Sequence, residues 1–129
     1  MREIKFRAKD ISGRWIYGDL IHVIDSPGIM AIRCKNGNES HVNADTIGQF
    51  TGLYDKSGEE LYEGDIIRSF DSEGKSILHH IEYRGGCFVA ILKDAFPLYG
   101  NLLTQDWLKD FDKVIIGNIT DDIDYLKND

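Results

Sequence analysis

Between Phe50 and Leu61 the chain reads F-T-G-L-Y-D-K-S-G-E-E-L, and this run leaves the backbone little choice. Apolar residues flank Asp55-Lys56-Ser57-Gly58, where an aspartate can bond to its own backbone and a glycine can take a positive φ. That is the signature of a β-hairpin. Directly after it, Tyr62-Glu63-Gly64-Asp65-Ile66-Ile67 sets a glycine and an acid ahead of a β-branched pair, so the chain turns at Gly64 and runs into a buried strand. The stretch from Asn43 to Arg68 therefore organises the chain as a β protein. It fixes a fold more firmly than an activity.

The same reading extends to both sides. Ile4, Phe6 and Ala8 alternate with Lys5 and Arg7, the two-residue period of a strand with one wet face. Asp10-Ile11-Ser12-Gly13 supplies a turn, and Arg14 to Val23 closes an opening hairpin. Ile29 to Cys34 and Glu39 to Asn43 form a second pair around the Asn36-Gly37 dipeptide. Beyond the polar stretch from Ser69 to Lys75, Ile77 to Tyr83 and Cys87 to Leu92 flank Arg84-Gly85-Gly86 as another hairpin. From Leu98 to Phe111 the spacing changes: Leu98, Leu102, Leu103, Trp107, Leu108 and Phe111 recur at three and four, which predicts a short helix capped by Asn101 or Thr104. Val114 to Ile119 is a last strand, and a short terminal helix through Leu126 is expected where Asp121, Asp122 and Asp124 place negative charge at its start.

The run TGLYDKSGEELYEGDII, taken with the opening MREIKFRA, Trp15-Ile16-Tyr17-Gly18 and the late VIIGNI, resembles the YopX family of phage and prophage proteins. Gly52, Asp55, Gly58, Gly64, Asp65, Gly117 and Asn118 are the fold-defining positions within it. The chain has Lys9 where the family often has an aromatic, and Ala44-Asp45 where it often has Pro-Glu. The resemblance implies a phage origin, a β-rich fold and self-association, and it brings no set of catalytic residues. Gly64 to Ile67 is also similar to the turn that feeds a bent strand in SH3-like barrels. The expected fold class is mainly β, an SH3-like small barrel of short antiparallel strands with a C-terminal strand-helix extension. One domain spans residues 1–129, with 1–70 as its barrel part and 71–129 as its C-terminal part.

Composition bounds the function classes. At 129 residues, 42% hydrophobic and 29% charged, the chain suits one globular core without a metal or disulfide. Its net charge of −7 disfavours nonspecific binding to phosphate backbones, which depends on Lys and Arg displacing counterions. Arg2, Lys5 and Arg7 interrupt any apolar start of the secretory kind, and no apolar run approaches the roughly 20 residues of a membrane span. The bacterial host cytoplasm is the expected location. Cys34 and Cys87 each sit in an apolar run and are read as reduced core residues.

Several groups invite a chemical reading. His22, His41, His79 and His80 with Cys34 and Cys87 offer zinc ligands, but no C-x-x-C or H-x-x-x-H spacing brings them together. The acids Asp55, Glu59, Glu60, Glu63 and Asp65 would suit a metal-dependent hydrolase, yet turn and backbone roles account for them. No P-loop, G-x-S-x-G or G-x-G-x-x-G is present. Arg7, Arg14, Trp15 and Arg33 make a candidate basic and aromatic interaction face for nucleic acid, with Tyr17 beside it and Tyr83-Arg84 as a second stacking pair. The acidic end, Asp121, Asp122, Asp124 and Asp129, is a solvated terminus or a mimic of DNA phosphates. Trp107, Leu108 and Phe111 are candidate oligomer contacts. The function expected is that of a non-enzymatic accessory protein without cofactors, acting through contacts with its own copies or with a host or phage protein. A nucleic-acid module comes second and a metal hydrolase third.

Overall fold

The computed structural model describes residues 2–94 and 100–127. The chain divides into two compact units, Met1–Phe50 and Thr51–Asp129, and the division falls inside one strand.

The first unit holds β1 (Phe6–Lys9), β2 (Trp15–His22), β3 (Met30–Arg33), β4 (Glu39–Val42) and the opening residues of β5 (Gly48–Tyr54). They pair antiparallel in the order β4-β3-β2-β1-β5. Register sets Arg7 opposite Tyr17, Lys9 opposite Trp15 and Arg33 opposite Asp19, which places the cations of β1 and the aromatics of β2 on one face. Ala8, Ala31, Ile32 and Phe50 are the buried apolar residues. Gly18 is required by close approach, because a Cβ there would collide with the backbone carbonyl of Arg33.

The second unit continues β5, pairs it with β6 (Glu60–Tyr62), and then forms β7 (Asp65–Phe70), β8 (Ser76–Arg84), β9 (Cys87–Leu92), β10 (Gly100–Leu102), a single turn of helix α1 (Gln105–Lys109) and β11 (Val114–Asn118). Its second sheet runs β10-β9-β8-β7-β11, again antiparallel. Leu61, Ile67, Ile81, Ala90 and Leu108 make a fully buried cluster, with Leu53, Leu103, Trp107 and Ile115 packed against it.

One turn design recurs three times. In Asp10 to Arg14, Asp55 to Glu59 and Asp71 to Lys75, the aspartate Oδ1 accepts from the backbone N–H groups two and four residues ahead, at 2.8–3.0 Å. The glycine at the fourth position, Gly13, Gly58 or Gly74, has φ between 82 and 87° and donates to the aspartate carbonyl. This is the three-residue hairpin loop in which a left-handed residue restores the ladder.

The mainly β class holds, and each strand expected from the sequence is present. The SH3-like barrel is not confirmed, because no sheet closes on itself among the described residues. An isolated bridge joins Asp10 to Val42, with Asn43 N donating to Lys9 O at 2.9 Å, so β4 returns to the end of β1 without a ladder between them. The predicted helix is also shorter. Gly100 to Leu102 pair with Ile91 to Val89, so cross-strand bonding claims Leu102 and the helix starts only after Thr104. Thr104 Oγ1 does cap it, accepting from Trp107 N at 3.1 Å. Leu98 lies outside the described residues. The terminal helix is a 3-10 turn, Ile123–Leu126.

Candidate functional site

The densest polar construction in the second unit centres on Asp55, which is 5% exposed. Its Oδ1 accepts from Ser57 N and Glu59 N within the hairpin turn, and its Oδ2 accepts from Ile115 N on β11 at 2.9 Å. Lys56 N adds a bond to Lys113 O at 2.9 Å. The β5–β6 turn is thereby fastened to β11, 60 residues further along the chain. Asp65 is buried still more deeply, and its Oδ2 accepts from Tyr62 N at 2.7 Å. Both acids bind backbone donors, and among the described residues no group of three or more His, Cys, Asp or Glu could hold a metal ion.

A second cluster lies where α1 meets β11. His79, on the core face of β8, is 5% exposed, its Nδ1 has no hydrogen-bond partner, and its ring stands edge-on to Trp107 at 5.0 Å. Burial, with the nearby Lys113 charge and then His80, pushes its pKa down to about 4, so the ring is neutral at physiological pH. Lys113 is buried too, its Nζ 4.4 Å from the Trp107 ring and 5.3 Å from that of Phe111, and it donates to Asp110 O at 2.9 Å. Burial lowers its pKa, against the opposing pull of Asp110. Between them, Phe111 and Asp112 take φ of 56° and 53°, a left-handed conformation that side chains other than glycine adopt at a cost. Of the three residues read as oligomer contacts, Leu108 is fully buried and Trp107 packs on the core, which leaves Phe111, 68% exposed, at the surface.

In the first unit, β1 and the residue just ahead of it line up three cations over aromatic rings: Lys5 over Phe50 at 4.9 Å, and Arg7 and Lys9 over Trp15 at 4.8 and 5.4 Å. Arg7 is buried. Arg14 pairs with Asp10 at 3.4 Å and Arg33 with Glu39 at 3.1 Å. Arg14, Asp10, Ser12, Glu39 and His41 line a shallow groove of about 480 Å3. The Arg14 N–H, then the Ser12 hydroxyl, hold the Asp10 carboxyl below its usual pKa. The expected interaction face is thus split between a buried stack and exposed ion pairs.

The remaining candidates disperse. His79 and His80 point to opposite faces of β8, and His80, 3.6 Å from Glu82, has its pKa lowered by burial. Both cysteines are free, but Cys34 is half-buried and Cys87 exposed, because Cys87 stands at the hairpin mouth opposite Arg84. Tyr83 stacks edge-on against Phe88 at 5.3 Å, and Arg84 pairs with Glu82 at 2.7 Å. Asp122 Oδ2 accepts from Asn118 N at 3.1 Å, and Asn118 Oδ1 accepts from Thr120 N and Asp121 N, so two of the tail acids close a turn. Asp129 lies outside the described residues. Sequence reading missed Lys113 and the role of His79. The signal was a lysine directly ahead of a β-branched run, and nothing local tied it to Trp107.

The chain matches the model of the YopX protein family over residues 5–127. Among solved structures it is similar to protein EF1440 from Enterococcus faecalis, at 25% identity and a TM-score of 0.66, over 98% of this chain and 100% of that one. No curated protein matches it. The matched range takes in the turn at Asp55, the glycine at 64 and the closing turn at Asn118 alike, and the chain belongs to the YopX protein family.

Proposed function

We propose that this chain is a non-enzymatic accessory protein of a phage or prophage, working by contact with other proteins and with copies of itself in the bacterial cytoplasm. The observation that carries this reading is the division of labour in the second unit. Its buried acids are committed to backbone N–H groups, while Leu102 and Phe111 stand 66% and 68% exposed on a unit rich in negative charge. Large apolar side chains in such a setting suit a protein interface better than a reaction. No helix among the described residues is long and apolar enough to cross a membrane.

The test is affinity capture of the tagged protein from bacterial host lysate, with and without nuclease, beside sedimentation velocity of the pure chain. A host or phage protein retained after nuclease treatment, and a mass above the monomer at micromolar concentration, are the expected results. A monomer throughout would remove the self-association. Capture that vanishes with nuclease would instead favour nucleic-acid binding through Arg7, Arg14, Trp15 and Arg33. That second reading rests on the cation and aromatic stack of β1, and it is weakened by the burial of Arg7 and the pairing of Arg14 and Arg33.

A further inference from the structure

The sheet that opens the chain ends at β4, whose outer side is only partly covered. Cys34 N donates to Asn38 O at 2.8 Å across the β3–β4 turn. Ladder bonds alternate along an antiparallel pair, so Ser40 and Val42, opposite Ile32 and Met30, turn their N–H and C=O groups towards β3. Glu39 and His41 turn theirs away. Asn43 also faces outward, and its N–H is met by Lys9 O at 2.9 Å beside the Asp10–Val42 bridge. Beyond that bridge the two walls part. From His41 back to Glu39 the edge of β4 stands across from Ile11, Ser12 and Arg14, with the groove of about 480 Å3 between them. The groove is the open continuation of a seam that the bridge closes at one end.

The two walls differ in what they ask of a ligand. On the turn side, Asp10 takes up the N–H groups of Ser12, Gly13 and Arg14 through its carboxylate and its carbonyl. On the β4 side, the outward N–H groups of Glu39 and His41 meet no further strand among the described residues. Outward N–H and C=O groups at strand spacing are matched by the backbone of another extended chain. The Asp10 to Arg14 turn stands where the body of a second folded sheet would have to go, so the seam suits a single strand. Ile11, 91% exposed, gives that strand an apolar contact. Arg14, its side chain 79% exposed, reaches Asp10 only at 3.4 Å, because that carboxylate already accepts from Ser12 and from the Arg14 backbone. We infer that the seam binds an extended peptide of a partner protein by strand addition to β4, with an apolar side chain on Ile11 and a carboxylate on Arg14. This rests on the reading of the chain as a protein-contact module, and it adds the contact edge, the bound conformation and the chemistry of the peptide.

The test adds short synthetic peptides to the full, isotopically labelled chain and follows its amide NMR signals. The peptides alternate valine and threonine around a central aspartate or asparagine. The aspartate peptide should shift the amide signals of Glu39 and His41 and slow their hydrogen exchange about tenfold. Peptides N-methylated at alternate amides, in the register that faces β4, keep their side chains and lose main-chain pairing, so they should not bind. His41→Pro removes an outward N–H and spares the bonds to β3, so its melting temperature should hold while its affinity falls about tenfold. Arg14→Gln should cut the preference for aspartate over asparagine about threefold. No shift at Glu39 and His41 with any peptide, equal binding by the N-methylated peptides in both registers, or equal binding by His41→Pro would each overturn the inference. Lysate capture separates the two levels: a partner held equally by the unaltered chain and by His41→Pro sinks the seam and leaves the contact module standing, whereas no partner for either, with no peptide bound, sinks both.

Discussion

The turns at Asp10 and Asp55 are nearly the same object in two settings. Each aspartate accepts from the backbone N–H groups two and four residues ahead, and each is followed by a left-handed glycine. In the first unit Asp10 stops there, adding only its neighbours Ser12 and Arg14. In the second, Asp55 is buried and its other oxygen reaches Ile115 on β11. A local motif that only closes a hairpin in one place therefore also fastens its hairpin to the edge strand of another sheet in the other. Charge differs in the same sense, with 7 Lys and Arg against 6 Asp and Glu in residues 1–50, and 8 against 16 in residues 51–129. The first unit leans on cations over aromatic rings around a small apolar centre, the second on a dense aliphatic core with carboxylates set into it.

This contrast can be tested unit by unit, because the chain has two tryptophans and each unit holds one, Trp15 and Trp107. Trp107→Phe leaves fluorescence to report the first unit, and Trp15→Phe leaves it to report the second. The largest effect is expected from Gly18→Ala, whose new methyl group meets the Arg33 carbonyl; chemical denaturation followed at Trp15 should show a loss of about 5 kcal/mol. If the Trp107 signal shifts equally, the two units unfold as one and the contrast is of composition only. Asp55→Ala should come next. It strands three backbone donors, two of them in the turn and one on β11, and should cost about 4 kcal/mol at Trp107.

Acid should separate the units further. The unfolded chain takes up a proton on His79 near pH 6.5, whereas the folded chain does so only near 4. The folded pKa is depressed for a base, so stability is full above 6.5 and is lost as the pH falls through that window, by about 3 kcal/mol in total. His79→Phe should flatten the pH dependence of unfolding between those values, and an unchanged slope would show that His79 is not its source. The smallest effect belongs to Asp10→Ala, whose turn donors can turn to water; its melting temperature should drop by only about 2 to 4 degrees. A drop as large as that of Asp55→Ala would erase the distinction between the two turns.

What could be read in advance follows the range of the physics. Asp55, Gly58, Asp10 and Gly13 act on their own backbone, so four or five letters of sequence carry their geometry. Strand composition and the turns between strands work the same way, and they place β1 to β4, β8, β9 and β11 within a residue or two. Leu102 was misassigned because its helical spacing was real, but pairing with Val89 decided the outcome. The bond from Asp55 to Ile115 spans 60 positions, and no local pattern announces it. Phe111 is similar: its spacing fits a helix face, whereas it takes a left-handed φ at the corner where Lys113 sits over Trp107. Of the candidate site, exposure and strain at that corner had to come from coordinates.

The strand β11 is the last in its sheet among the described residues, and a final strand ordinarily presents a row of free N–H groups on which another chain can polymerise. Here the N–H of Ile115 meets the carboxylate of Asp55, and that of Asn118 meets the carboxylate of Asp122. Gly117 leaves the room for this, because a side chain there would displace Asp122. With two of its N–H groups held by carboxylates of the same chain, this border offers an incoming strand fewer donors on which to begin a ladder.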